Sequence, residues 1–284
     1  MPTISPNHQP TSAERLSNRV LWGLCLFIAL ISLLTLLGWV LNINILTTWK
    51  SDATPMAPIT AVLSVVFSLV FGFCIKPPSN VISKLFALML SGGGAMTALL
   101  LCLLRLMGRY LSLEHLGLPI TGVLGSEPVG YISLISAFCL LLAFVAVIIT
   151  LIHQPTRAWH KVLSWSLNGL ILLISLGLLL AYAFGLPLIN NYLLMPPALN
   201  SSFMLLLSGL GLLTLNYRNY LRPSAATAMM FSKLPPYIIV FVIFSVGIIT
   251  IAYDYYRNLE VNFRHQVESE LIAVAKLKSD QLMM

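Results

Sequence analysis

The chain has 284 residues, of which 58% are hydrophobic and only 9% charged, and its mean hydropathy is +0.91. Soluble domains are about 45–50% apolar and about 25% charged, so soluble, disordered, collagenous and disulfide-scaffold classes are excluded and a polytopic membrane protein remains. Sixteen Lys and Arg outnumber nine Asp and Glu. The basic residues sit at the ends of apolar runs, as topology signals beside anionic lipid headgroups and not as nucleic-acid contacts.

The stretch MPTISPNHQPTSAE is rich in Pro, Ser and Thr, and residues 1–19 read as a cytoplasmic lead-in. Seven apolar runs follow, each long enough for a bilayer core about 30 Å thick, which takes about 20 helical residues. They are Val20–Leu41, Ala57–Ile75, Leu85–Leu106, Val129–Ile152, Val162–Phe184, Ala198–Leu215 and Tyr237–Tyr253. Runs such as LFIALISLLTLL do not alternate, which excludes the β-barrel alternative. The expected fold is therefore all-α: a bundle of seven transmembrane helices over residues 20–253.

Orientation follows from the basic residues. Arg15, Arg19, Lys76, Lys84, Arg157, Lys161, Arg218, Arg222 and Lys233 collect on one side, and Lys50, Arg105 and Arg109 on the other. The richer side faces the cytoplasm, which places the N-terminus inside and the C-terminus outside a bacterial inner membrane. Cys25, Cys74, Cys102 and Cys139 each stand alone inside apolar runs and read as packing residues.

A repeat runs through the first six spans. Pro58, Pro128 and Pro197 each open a span from the outer side at spacings of 70 and 69 residues, preceded by Gly38, Gly108 and Gly177. Met56 and Met195 also match, with Ser126 between them. Proline suits a first helical turn, where its missing N–H has no partner to lose. Thr60, Ser133, Asn200 and Ser201 follow closely and can bond other first-turn groups. The expectation is three parallel hairpins plus one exit helix.

Candidate chemistry is sparse. No nucleotide-binding, kinase, metalloprotease or nucleophile-elbow motif occurs, so no catalytic residue and no cofactor is expected. His8, His115, His153, His160 and His265 all fall outside mid-span positions, where a haem would need a facing pair. Gly92, Gly93 and Gly94 lack the Lys-Ser/Thr of a phosphate loop and read as a close-approach or flexible point. Arg105 and Arg109 stand one turn apart at the outer end of the third span. They read either as an interfacial pair or, with Glu114 or Glu127, as a contact for an anionic headgroup or ligand.

From Asp254 the composition changes: the last 31 residues carry nine charges and no Pro or Gly. Leu259, Phe263, Val267, Leu271, Val274 and Leu277 recur at helical spacing, forming one apolar stripe on a continuous extracytoplasmic helix over 254–284. A seventh span running into such a helix couples the membrane to events outside it. The chain stops at Met283-Met284 without a capping residue, and the natural protein is expected to continue.

Gly38-Trp39 followed by MAPITAVLSVVFSLVFG resembles the multi-pass membrane input regions of bacterial sensor histidine kinases and diguanylate cyclases. Met56, Pro58, Thr60 and Ala61 match an M-x-P-x-T-A string at the start of the second span there. The segment ESELIAVAKLKSDQ is similar to the first helix of the extracytoplasmic sensor domains that follow such regions. Glu270, Leu271, Val274, Ala275 and Lys278 carry that likeness, with Val at a position held by Ile. The resemblance implies a sensory input module that works as a homodimer among membrane lipids, with any kinase or cyclase activity in a further part. The alternative reading is a transporter with a polar cavity at mid-depth built from Asn168, Asn200, Ser201, Ser202 and Ser208.

Overall fold

Apolar runs of about 20 residues satisfy their backbone internally only by becoming helices, and in the computed structural model they do. The structure describes residues 12–49, 54–78, 80–118, 120, 123–124, 127–152, 158–184 and 197–221. The chain divides into two units, Met1–Ala225 and Ala226–Met284, and every described residue belongs to the first. The expected seventh span and the tail stripe from Leu259 to Leu277 lie outside the described residues.

The elements are α1 (Ser12–Leu41), α2 (Asn44–Thr47), α3 (Pro58–Ile75), α4 (Val81–Leu106), a 3-10 turn (Ser112–His115), β1 (Val123–Leu124), β2 (Glu127–Pro128), α5 (Leu134–Ile152), α6 (Ala158–Ala183) and α7 (Leu199–Leu221). β1 and β2 form a two-residue antiparallel ladder. Six helices, all but α2, are long and apolar enough to cross a membrane, and the architecture is that of a polytopic helical bundle.

Consecutive long helices pair most extensively, α1 with α3, α4 with α5 and α6 with α7. Between hairpins the contacts are cyclic. α1 also lies on α7, α4 on α3, and α6 on α5, while α5 touches both α3 and α7. The descending helices α3, α5 and α7 thus form the inner set, and α1, α4 and α6 fill the grooves around them. Leu26, Leu30 and Val40 of α1 and Val81, Ile82 and Met89 of α4 remain exposed, as suits helices whose solvent is lipid.

Small residues let the inner contacts close. A Cβ on Gly94 would collide with the Phe144 ring, and one on Gly211 would lie 2.8 Å from Phe71. Phe67 links these two rings, stacked on Phe71 at 5.8 Å and edge-on to Phe144 at 5.9 Å. Gly92 and Gly93 face open space, so of the glycine triplet only Gly94 serves close approach.

At the end of the bundle where α3 finishes, Arg218 of α7 turns inward and donates to the Cys74 and Ile75 carbonyls and to Asn18 Oδ1. A cation there meets carbonyls that a helix end leaves unpaired, and the favourable pole of its dipole. That one side chain joins α1, α3 and α7.

Pro58 is the first residue of α3, with Ala57 as its N-cap. Pro197 stands two residues ahead of α7. Pro128 does not open a span: it lies in β2, and α5 begins six residues later at Leu134. The cause is local. Gly130 turns the chain at φ +90°, and the backbone of Ile132 is then held on both sides, by Glu114 at its N–H and Arg105 at its carbonyl. Only at Ser133 can the helix start, with Ser133 Oγ accepting from the Ser136 N–H at 3.1 Å.

Candidate functional site: the cleft where three helices begin

Each hairpin is closed by the same device. Near the end of each ascending helix, one side chain donates to the carbonyl of the residue just before the N-cap of the next descending helix. Trp39 Nε1 of α1 donates to the Met56 carbonyl at 2.7 Å. Arg105 Nε of α4 donates to Ile132 at 2.8 Å, and the Tyr182 hydroxyl of α6 to Pro197 at 2.5 Å. Donor and acceptor of these latches are 17, 27 and 15 positions apart, so equivalent positions are not evenly spaced along the chain.

The ascending helices also end alike. α1 and α4 each run into a left-handed residue three positions after the latch donor, Asn42 at φ +56° and Gly108 at φ +66°. The N–H after each bonds back into the last turn, Ile43 to Gly38 and Arg109 to Leu104, which is the Schellman closure. The counterpart of Gly108 is therefore Asn42. Gly38 lies within α1, where a Cβ would strike Leu46, and Gly177 is inside α6 facing open space.

Arg105 is the most heavily engaged donor. It is only 8% exposed, and its Nη2 meets both carboxylate oxygens of Glu114, itself 1% exposed, at 2.6 and 2.7 Å. Nη1 donates to the Arg109 carbonyl, and the guanidinium lies over the rings of Tyr110 and Tyr131, 4.3 and 5.2 Å from their centroids. Glu114 further accepts from the N–H groups of Leu111 and Ile132. An ion pair whose carboxylate and guanidinium are both also hydrogen-bonded to backbone groups tolerates burial. Arg105 and Glu114 are thus brought together as a closed pair. Arg109 is exposed and contributes its backbone alone, and Glu127 lies in β2. The His115 ring is 4.4 Å from that of Tyr131, with Nε2 buried and without a hydrogen-bond partner among the described residues.

Beside this pair, the starts of α3, α5 and α7 converge on a small cleft with room for a water-sized molecule. All three helices begin with the same bond, from Ala61 to Ala57, Ala137 to Ser133 and Ser202 to Ala198. Three positions beyond each N-cap stands a hydroxyl: Thr60, Ser136 and Ser201. All three line the cleft, and none of the lining residues is charged. The Tyr182 latch holds one wall, since Pro197 immediately precedes the lining residue Ala198.

The polar residues of α7 are committed elsewhere. Asn200 donates to the Thr47 carbonyl at 3.0 Å, tying α7 to the first loop. Ser201 and Ser202 bond to Ala198, and Ser208 to Met204, within α7 itself. Asn168 of α6 is fully buried, and both its amide atoms lack a partner among the described residues. Of these five residues only Ser201 lines the cleft.

Sequence reasoning found Pro58, Arg105, Glu114, Thr60 and Ser201 but not the register that relates them. The findable signal was a hydroxyl three residues after a small N-cap, in APIT, SLIS and ALNS. The Trp, Arg and Tyr latches share a role but not a residue type, and no motif would join them. Comparison with protein-family models, with curated proteins and with solved structures finds no match to this chain.

Proposed function

We propose that this chain is the membrane-embedded input module of a bacterial signal-transduction protein, of the sensor histidine kinase or diguanylate cyclase kind. In this reading it has seven spans, with the N-terminus in the cytoplasm and the cleft on the outer side. The seventh span and the helix over 254–284 carry the response outward into a sensor domain, and the tail stripe pairs two copies.

The observation that supports this best is the shared cleft. Its walls are the starts of three helices, each latched to its own ascending partner, so anything that binds there acts on all three hairpins together. That is the differential contact a ligand needs to shift a two-state bundle. The transporter alternative is less well supported, because the α7 hydroxyls and amide are spent on helix and loop bonds and do not line a mid-depth path.

The test is removal of residues after Tyr253 in the full signalling protein. Membrane insertion should survive, and phosphotransfer or cyclic-dinucleotide output should lose its dependence on stimulus. A truncated chain that still responds would contradict the proposal.

A further inference from the structure

We infer that α2 and the 3-10 turn Ser112–His115 form a lipid-contacting collar, sunk into the leaflet at the end of the bundle where α3, α5 and α7 begin. The contact does not rest on the input-module reading. The polarity of the two turns comes first. A turn facing water exposes its polar residues and buries its apolar ones. Both turns do the opposite. In α2, Ile45 is 74% exposed and Thr47 only 3%, and in the 3-10 turn Leu113 is 73% exposed and Glu114 only 1%. Apolar side chains turned out and polar ones turned in suit an apolar surrounding.

The second observation is continuity with the faces of α1 and α4 that already meet lipid. Leu37, Val40 and Leu41 of α1 lead on to the exposed Ile43, Ile45 and Trp49. Leu103 and Leu106 of α4 lead on to the exposed Met107, Tyr110 and Leu113. The polar residues exposed among them, Asn42, Asn44, Arg109 and Ser112, set the depth, because they need headgroups or water that the acyl core withholds. Rings such as Trp49 and Tyr110, and an arginine within reach of lipid phosphate, are what that boundary favours. Two peripheral helices carry the surface, as lipid around the bundle requires and a single docked partner does not. The occupant is therefore the bilayer itself.

The third observation is where the turns are tied. The Thr47 carbonyl accepts from the Met56 N–H, just ahead of α3, and from Asn200 in the first turn of α7. Glu114 accepts from the Ile132 N–H, just ahead of α5. Through these bonds the two turns anchor the starts of all three inner helices to one leaflet.

The experiment uses the full 284-residue chain, with its four cysteines replaced, in nanodiscs of phosphatidylcholine and phosphatidylglycerol. Bimane is attached at Ile45→Cys, at Leu113→Cys or, as a mid-helix reference, at Leu30→Cys on the exposed face of α1. An apolar interfacial face lies about 5–10 Å into the boundary between headgroups and acyl chains. Lipids brominated near the glycerol end of the acyl chain should remove most of the fluorescence at both turns, and lipids brominated near the chain end should do so only at the reference. Aqueous iodide should quench the two turns weakly. Ile43→Cys and Met107→Cys carry the test if either label disturbs the fold. Strong iodide quenching at both turns without lipid quenching would place them in water and overturn the inference. Quenching by neither would overturn it as well, because another protein surface, a second copy included, would then cover them.

Discussion

Replacing Glu114 by Gln keeps the side-chain volume and removes one charge from a buried pair. The Arg105 guanidinium would then sit 8% exposed without its counter-charge. Removing one partner of such a pair costs about 3–5 kcal/mol, because the other charge stays buried. Here the carbonyls of Ile132 and Arg109 and the faces of Tyr110 and Tyr131 remain. Each cation–π contact is worth roughly 0.5–1 kcal/mol or more, so the expected loss lies at the low end, ~3 kcal/mol. For a domain of about 200 residues this lowers the unfolding midpoint by about 6–12 °C. The chain carries its own reporter: Cys25, Cys74, Cys102 and Cys139 are all free and buried, so a thiol-reactive fluorophore reads unfolding in detergent directly. The double variant Arg105→Met with Glu114→Leu should lose clearly less than the sum of its parts, by ~2 kcal/mol. A Glu114→Gln loss below about 1 kcal/mol, the scale of an exposed pair, would refute the reasoning.

The same thiol-protection assay checks three more expectations. Gly94→Ala should destabilise by forcing the Phe144 ring aside, while Gly93→Ala, with nothing within 4 Å, should be neutral or more stable by up to about 1 kcal/mol. Equal effects at the two glycines would contradict the packing. Trp39→Phe and Tyr182→Phe each delete one latch hydrogen bond and should cost about 1 kcal/mol apiece; no loss in either would mean the latches are not held in the bilayer. Asn168→Leu removes an amide buried without a partner and should raise stability by about 1–3 kcal/mol, and a fall in the midpoint would show that Asn168 has a partner there.

The helices were legible because a bilayer leaves an apolar run few choices: six of the seven expected runs begin or end within a few residues of α1, α3, α4, α5, α6 and α7. α5 was misplaced at its start because Pro128 resembles a helix opener locally, whereas the Arg105–Glu114 pair fixes the backbone at Ile132 and delays the helix to Leu134. The arginine itself was visible as an anomaly, and Glu114 among its candidate partners. Its inward turn was not, since that depends on a left-handed Gly108 folding the chain back over it. The cleft was hidden for a similar reason. Even spacing of prolines suggested one register, but loops of different length place Ala57, Ser133 and Ala198 in equivalent roles. Only the pattern of bonds relates them.

The convergence of α3, α5 and α7 is tested most directly by cross-linking in native membranes. In a chain whose four cysteines are replaced, Thr60→Cys with Ser201→Cys and Thr60→Cys with Ser136→Cys should join rapidly through a short bifunctional thiol reagent. Ser136→Cys with Val162→Cys, at opposite ends of the bundle, should not. Failure of the first two pairs, with their thiols reactive once the chain is unfolded, would mean that the three helix starts do not meet.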